Sequence, residues 1–160
     1  MRKRLVAAGL ILASAATMMT VNAQNQPTPE QQAQSAVNAR KSVVRLFAFN
    51  MAAISGMARG AVEFDAAIAE RNARRIADLA PMLPEAFSSM DTRPHSVETA
   101  ALPIIWDRFD EFQQKTDALI QGANTFADIA ARGNREETIA AVRAFGSNCG
   151  GCHDVFRVQD

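Results

Sequence analysis

An all-α fold, an antiparallel four-helix bundle, is what these 160 residues predict, and three observations lead to it. Apolar side chains recur at steps of three, four and seven over long stretches, the period of a helix with one buried face. No segment shows the strict alternation of a half-buried strand. The composition agrees, with no tyrosine, one tryptophan and abundant alanine, the residue that costs least in a helix.

The first two dozen residues stand apart from that bundle. Arg2, Lys3 and Arg4 form a cationic start, and an uncharged apolar run follows from Leu5 to about Met19. Val21-Asn22-Ala23 then offers the small or modest residues at which a secretory signal is cut. The run is shorter than the ~20 residues a membrane helix needs, and no second one follows. Residues 1–23 therefore read as a cleaved export signal and 24–160 as one domain, with no membrane attachment after cleavage. Removing three of the 17 basic residues leaves 14 against 17 acidic ones, a net of −3. No basic cluster remains to track a phosphate backbone, which argues against nucleic acid as a partner.

Taken in order, the first helix opens at Thr28-Pro29-Glu30-Gln31, with an N-cap threonine, proline at the first position and glutamine completing a capping box. Val37, Val44, Phe47, Met51, Ile54 and Ala58 mark its apolar face, and Gly60 stops it. Asp65 caps the second helix, which passes through Ile68, Ile76 and Leu79 until Pro81 and Pro84 end it. Glu70, Arg71, Arg74 and Arg75 read as its solvated face. Met82 to Ile105, punctuated by Pro94 and Pro103, reads as a long irregular connection. The third helix is expected from Trp106 or Asp107, with Phe109, Phe112, Leu119, Ala123 and Phe126 inward and Gly133 at its end. Asn134 and Glu137 restart helix at once, and Ile139, Val142, Phe145, Cys149, Cys152 and Phe156 form the inner face of the fourth. Short joins within the first and last helix pairs make neighbouring helices antiparallel.

Chemistry concentrates in Cys149-Gly150-Gly151-Cys152-His153. The two cysteines are the only ones in the chain, and a bridge so short would constrain almost nothing. Residues three and four apart share a helical face, so Cys149, Cys152 and His153 point the same way. Two thiols so spaced can add to the two vinyl groups of one haem, and the adjacent imidazole can reach the iron. Cys-x-x-Cys-His is the attachment pattern of covalent c-type haem for that reason, and imidazole is a common axial ligand. Zinc would need four ligands, and only His95 remains as another histidine. A thioredoxin-like pair would want a strand-to-helix setting that is missing here. A third alternative is two core cysteines beside a core histidine. Gly150 and Gly151 each cost roughly 1 kcal/mol in a helix, so covalent haem would reinforce a weak turn.

With these residues in view, the chain resembles the cytochrome c′ family, the four-helix class of c-type cytochromes. The likeness spans nearly all of 24–160. It rests on the late position of the motif, on its continuation Cys152-His153-Asp154-Val155-Phe156-Arg157, on Arg40 ahead of an apolar stretch, on Arg59-Gly60 with Phe64-Asp65-Ala66-Ala67, and on Pro103-Ile104-Ile105-Trp106. The resemblance implies a periplasmic protein with one covalent haem and iron bound by His153. It further implies Arg40 near a haem propionate, Val44 over the distal side of the iron, and Arg157 beside the proximal face. Low-spin relatives place a methionine near the distal position, whereas Val44 and Phe47 have no donor atom. Met51, seven residues beyond Val44, lies ~10 Å further along a helix.

A five-coordinate, high-spin iron in an apolar distal pocket is the resulting expectation. It would bind nitric oxide and carbon monoxide and carry single electrons. The alternative is a six-coordinate low-spin carrier using a methionine such as Met51. A peroxidase would need distal acid and base groups, which Val44, Phe47 and Met51 do not supply, so no enzymatic activity is expected. The resemblance also implies a homodimer through the first two helices, for which Phe49, Ile54 and Met57 are candidate contacts or, equally, simple core. The redox partner protein is not legible.

Overall fold

The computed structural model describes residues 26–159, so the expected export signal at 1–23 lies outside the described residues. Six helices follow one another: α1 (Pro29–Ala58), α2 (Ala66–Leu79), α3 (Met82–Ser88), α4 (Ile104–Asp107), α5 (Phe109–Ala130) and α6 (Arg135–Phe156). Four of them, α1, α2, α5 and α6, make the bundle. Among the described residues the only β pairing is an isolated antiparallel bridge between Ala101 and Arg157.

Local chemistry accounts for the helix limits. Thr28 Oγ1 accepts from the Gln31 amide at 3.2 Å while Gln31 Oε1 accepts from the Thr28 amide at 2.8 Å, a complete capping box. At the far end Gly60 takes φ +69°, its amide donates to Met57 O and the Ala61 amide to Gly56 O. Those two bonds are a Schellman motif, which glycine permits without steric cost. Gly133, at φ +74°, turns the chain between α5 and α6, its amide donating to Ala130 O at 2.9 Å. Asp65 accepts from the Ile68 amide at 2.9 Å and Asn134 from the Glu137 amide at 3.1 Å, starting α2 and α6. Asp65→Ala is expected to cost about 1 kcal/mol, the usual value of an N-cap, and thermal unfolding followed by circular dichroism checks it.

The connection between α2 and α5 is more helical than its prolines predict. Pro81 caps α3 and Pro84 sits in its first turn, where a missing N–H leaves no bond unmade. Pro103 likewise precedes the short α4, and the long helix begins only after Arg108 leaves the helical region at φ −123°, ψ 42°. Trp106 thus belongs to a separate turn rather than to α5.

Two apolar clusters hold the bundle. In one, Ala69, Ala73 and Ala77 of α2 and Ala80 at its C-cap lie with Ala123, Ala127 and Ala130 of α5, their small side chains letting the helices approach closely. Ile54, Met57, Ile76, Phe126 and Phe145 complete it, with Phe126 stacked on Phe145 at 5.1 Å between ring centres. In the other, Phe112 meets Phe87 and Phe156 edge to face with Ile105 packed among them, joined by Trp106 and Phe109 at its margin. Ile54 and Met57 are 1% and 4% exposed, so they are core and not candidates for a subunit contact. Their helical phase places them against α2, a neighbour that periodicity alone does not identify. Phe49 is 69% exposed and keeps its place on the outer surface of α1.

Candidate functional site

Between the two clusters α1, α5 and α6 diverge around a cavity of about 510 Å³ whose walls are overwhelmingly apolar. Its size falls in the range of cofactor sites. The six residues singled out from the sequence, Arg40, Val44, Cys149, Cys152, His153 and Arg157, all line it. Cys149, Cys152 and His153 share one face of α6, which stays helical through Gly150 and Gly151. Val44 faces the cavity from α1 and is 43% exposed, since the hollow opens to solvent there. Phe47 and Met51 line it further along the same helix.

Both thiols are free and half-buried. Burial pushes the Cys149 pKa up, with a backbone hydrogen bond acting weakly against it. Burial likewise raises Cys152, partly opposed by the Lys115 ammonium. Both shifts favour the neutral thiol over the thiolate. Among the described residues no three His, Cys, Asp or Glu side chains gather where they could hold a metal ion.

Arg40 lines the cavity, and its partners lie far along the chain. It is inward, only 4% exposed. Its guanidinium donates through Nε to Ala86 O and through Nη1 to Thr92 Oγ1, each at 3.0 Å, and through Nη2 to Met90 O. The Phe87 ring lies 4.5 Å and the Trp106 ring 5.3 Å from its central carbon. Burial lowers its pKa and the Asp91 carboxylate pushes it back up, leaving the group charged at any physiological pH. Arg40 thus clamps α3 and the segment after it against the cavity wall, and that is its observed work.

The end of α6 is secured from the same side. The Leu102 amide donates to Phe156 O at 2.9 Å and the Val158 amide to Ala100 O at 2.8 Å. That bridge holds Thr99, Ala100 and Ala101 as part of the wall. The Arg157 amide closes the helix on His153 O at 3.1 Å. Sequence reasoning missed Lys41, Arg45 and Lys115, which also line the cavity. Lys41 and Arg45 flank Val44 one turn apart, a spacing that signals one helical face. Nothing in the sequence around Lys115 marks it.

These residues fit a covalently held haem: paired thiols with an adjacent imidazole on one helical face, apolar walls for a flat macrocycle, and cations at the opening for its carboxylates. Comparison with known proteins agrees. A family model described as "Cytochrome C'" matches residues 35–157. A cytochrome c′ of Cereibacter sphaeroides is 31% identical over 158 residues, covering 98% of this chain and 99% of its own. A cytochrome c-554 of the same species is 30% identical, covering 78% of this chain and 93% of its own. Among solved structures, a nitric oxide complex of a cytochrome c prime variant from Alcaligenes xylosoxidans superposes with TM-score 0.67 at 26% identity, covering 80% of this chain and 97% of that one.

Proposed function

The chain belongs to the cytochrome c′ family, and on that premise we propose that Cys149 and Cys152 hold its haem, that His153 binds the iron, and that Val44 covers an open sixth position. The protein is a periplasmic c-type cytochrome, an electron carrier with covalent haem rather than an enzyme. Residues 1–23 would be its export signal.

The observation that carries the open-iron reading is Val44, which lines the cavity from α1 without a donor atom, while His153 lines it from α6. When bound, the haem supplies an iron that exchanges one electron and accepts a small ligand. The chain does the rest. Cys149 and Cys152, one turn apart, would fix the orientation of the macrocycle through thioether links, and His153 would hold the iron from one axial side. Val44 and Phe47 present only hydrocarbon on the other, which offers no hydrogen bond to a bound ligand and so favours nitric oxide and carbon monoxide over oxygen. The nitric oxide complex of the Alcaligenes protein supports extending that ligand to this chain. Arg157, next to the last turn of α6, would border the proximal side. Arg40 would reach a propionate only with the guanidinium hydrogens left over from its three protein contacts.

Met51 lines the same cavity, so a six-coordinate iron is the second reading. The absorption spectrum of the dithionite-reduced protein separates the two. A broad, unsplit band that shifts with nitric oxide or carbon monoxide fits an open iron. A sharp, split band indifferent to carbon monoxide means a sixth ligand, with Met51 the donor to test. For Val44→Met we expect the first spectrum to turn into the second. A homodimer through the outer face of α1 is also proposed, since Leu46 and Phe49 are 44% and 69% exposed there. Sedimentation of the loaded protein checks that assembly.

A further inference from the structure

Charge is unevenly placed on this chain. Past Ala23 it carries 17 acidic and 14 basic side chains (17 less Arg2, Lys3 and Arg4), a net of −3. Yet Arg40, Lys41, Arg45, Lys115 and Arg157 all line the one cavity, and no Asp or Glu does. Arg40 is buried and bonded inward, leaving the other four at the opening. They converge from three elements: Lys41 and Arg45 on α1, Lys115 on α5, and Arg157 at the end of α6.

Elsewhere Arg74, Arg93, Arg108 and Arg132 meet carboxylates, while Arg59, Arg71, Arg75, Arg135 and Arg143 enter no ion pair among the described residues. Arg74 meets Asp128 at 2.6 Å, and Arg132 meets Glu137 at 2.9 Å. The cavity differs in that its cations converge with no carboxylate among the lining residues. The Lys41 ammonium donates to the backbone carbonyl of Glu98 at 3.1 Å and not to a carboxylate. Among the described residues Lys41, Arg45 and Lys115 enter no ion pair. The two propionates of a bound haem offset two charges, so these three alone keep the opening positive. A cleft lined by one sign of charge, with low-dielectric walls, focuses its field and steers oppositely charged partners.

We propose that the cavity opening is the docking face for an acidic redox partner protein, whose carboxylates meet Lys41, Arg45 and Lys115. The inference rests on the electron-carrier function and adds the chemistry of the partner. Docking by charge raises the encounter rate and sets orientation more than it raises affinity, which suits a carrier that must release its partner after each transfer.

The test uses the loaded, reduced protein and two one-electron oxidants of opposite charge, ferricyanide and tris(phenanthroline)cobalt(III). Each takes one electron from one reduced chain, and no bond is made or broken. Ionic strength is raised from about 0.01 to 0.15 M, over which the screening length falls from ~30 to ~8 Å. Oxidation by ferricyanide is expected to slow several-fold and oxidation by the cobalt complex to quicken, although the chain as a whole is negative. Lys41→Glu with Arg45→Glu should reverse the ferricyanide trend. Ferricyanide oxidation that quickens with salt in the unaltered protein, as a net of −3 alone would dictate, overturns the proposal, and so does an unchanged trend in the double variant. If neither reagent oxidises the protein, the electron-carrier function fails and the docking face with it.

Discussion

Cys149→Ala with Cys152→Ala is expected to give a chain that retains no haem through denaturing electrophoresis. Haem staining should be lost and the mass should fall by one haem beyond the two substitutions. Either single variant should keep one thioether and some stain. The loss extends beyond the cofactor. Residues that bind a ligand only in the folded state gain stability from it, and covalent attachment makes that gain independent of concentration. The helical turn through Gly150 and Gly151 has no side chains of its own to reinforce it, so the double variant should also unfold at lower denaturant. Haem stain persisting in the double variant would rule these two thiols out as the attachment points.

Arg40→Met should produce the largest loss of stability from a single substitution outside the haem motif. The guanidinium is buried and its donors satisfy Ala86 O, Met90 O and Thr92 Oγ1. Methionine fills part of the volume but leaves these acceptors without their donor, and each such group costs ~1–3 kcal/mol. Allowing for relaxation, we expect about 3–5 kcal/mol, the usual cost of breaking a buried charged network. That is a large part of the ~5–15 kcal/mol that holds a typical domain together. Arg40→Lys should recover little, because one ammonium cannot reach three acceptors in a planar fork. Urea unfolding of the loaded protein measures both. A loss below 1 kcal/mol in Arg40→Met would show the clamp to be dispensable.

What was legible in the sequence follows from range. Helix limits are written locally, in Thr28 with Gln31, in Asp65, in Gly60 and in Asn134, and the structure keeps each of them. The attachment motif is equally local, three residues on one turn. Long-range placement was harder. Periodicity showed that Ile54 and Met57 were apolar but not that α2 covers them. The resemblance placed Arg40 near a propionate without revealing that a segment some 50 residues later supplies its acceptors. Prolines at 81, 84 and 103 looked like breakers, yet at caps and first turns they are compatible with helix. Lys115 resembles any solvated lysine until α5 is set against α6.

The two apolar clusters have a consequence for cooperativity. The alanine-packed one, built from α2 and α5 with Phe126 and Phe145, reaches the cavity through Ile76 and Leu119 and has Cys149 at its edge. The aromatic one, with Phe87, Phe112 and Phe156, has the cavity as one of its boundaries and Cys152 at its edge. Regions that share few contacts open independently, each with its own free energy. A rigid macrocycle seated between them, and tied to α6, would couple the two into one unfolding unit. The prosthetic group would then act as a keystone as well as a redox centre, and its presence would slow amide exchange in α2 and α3 together.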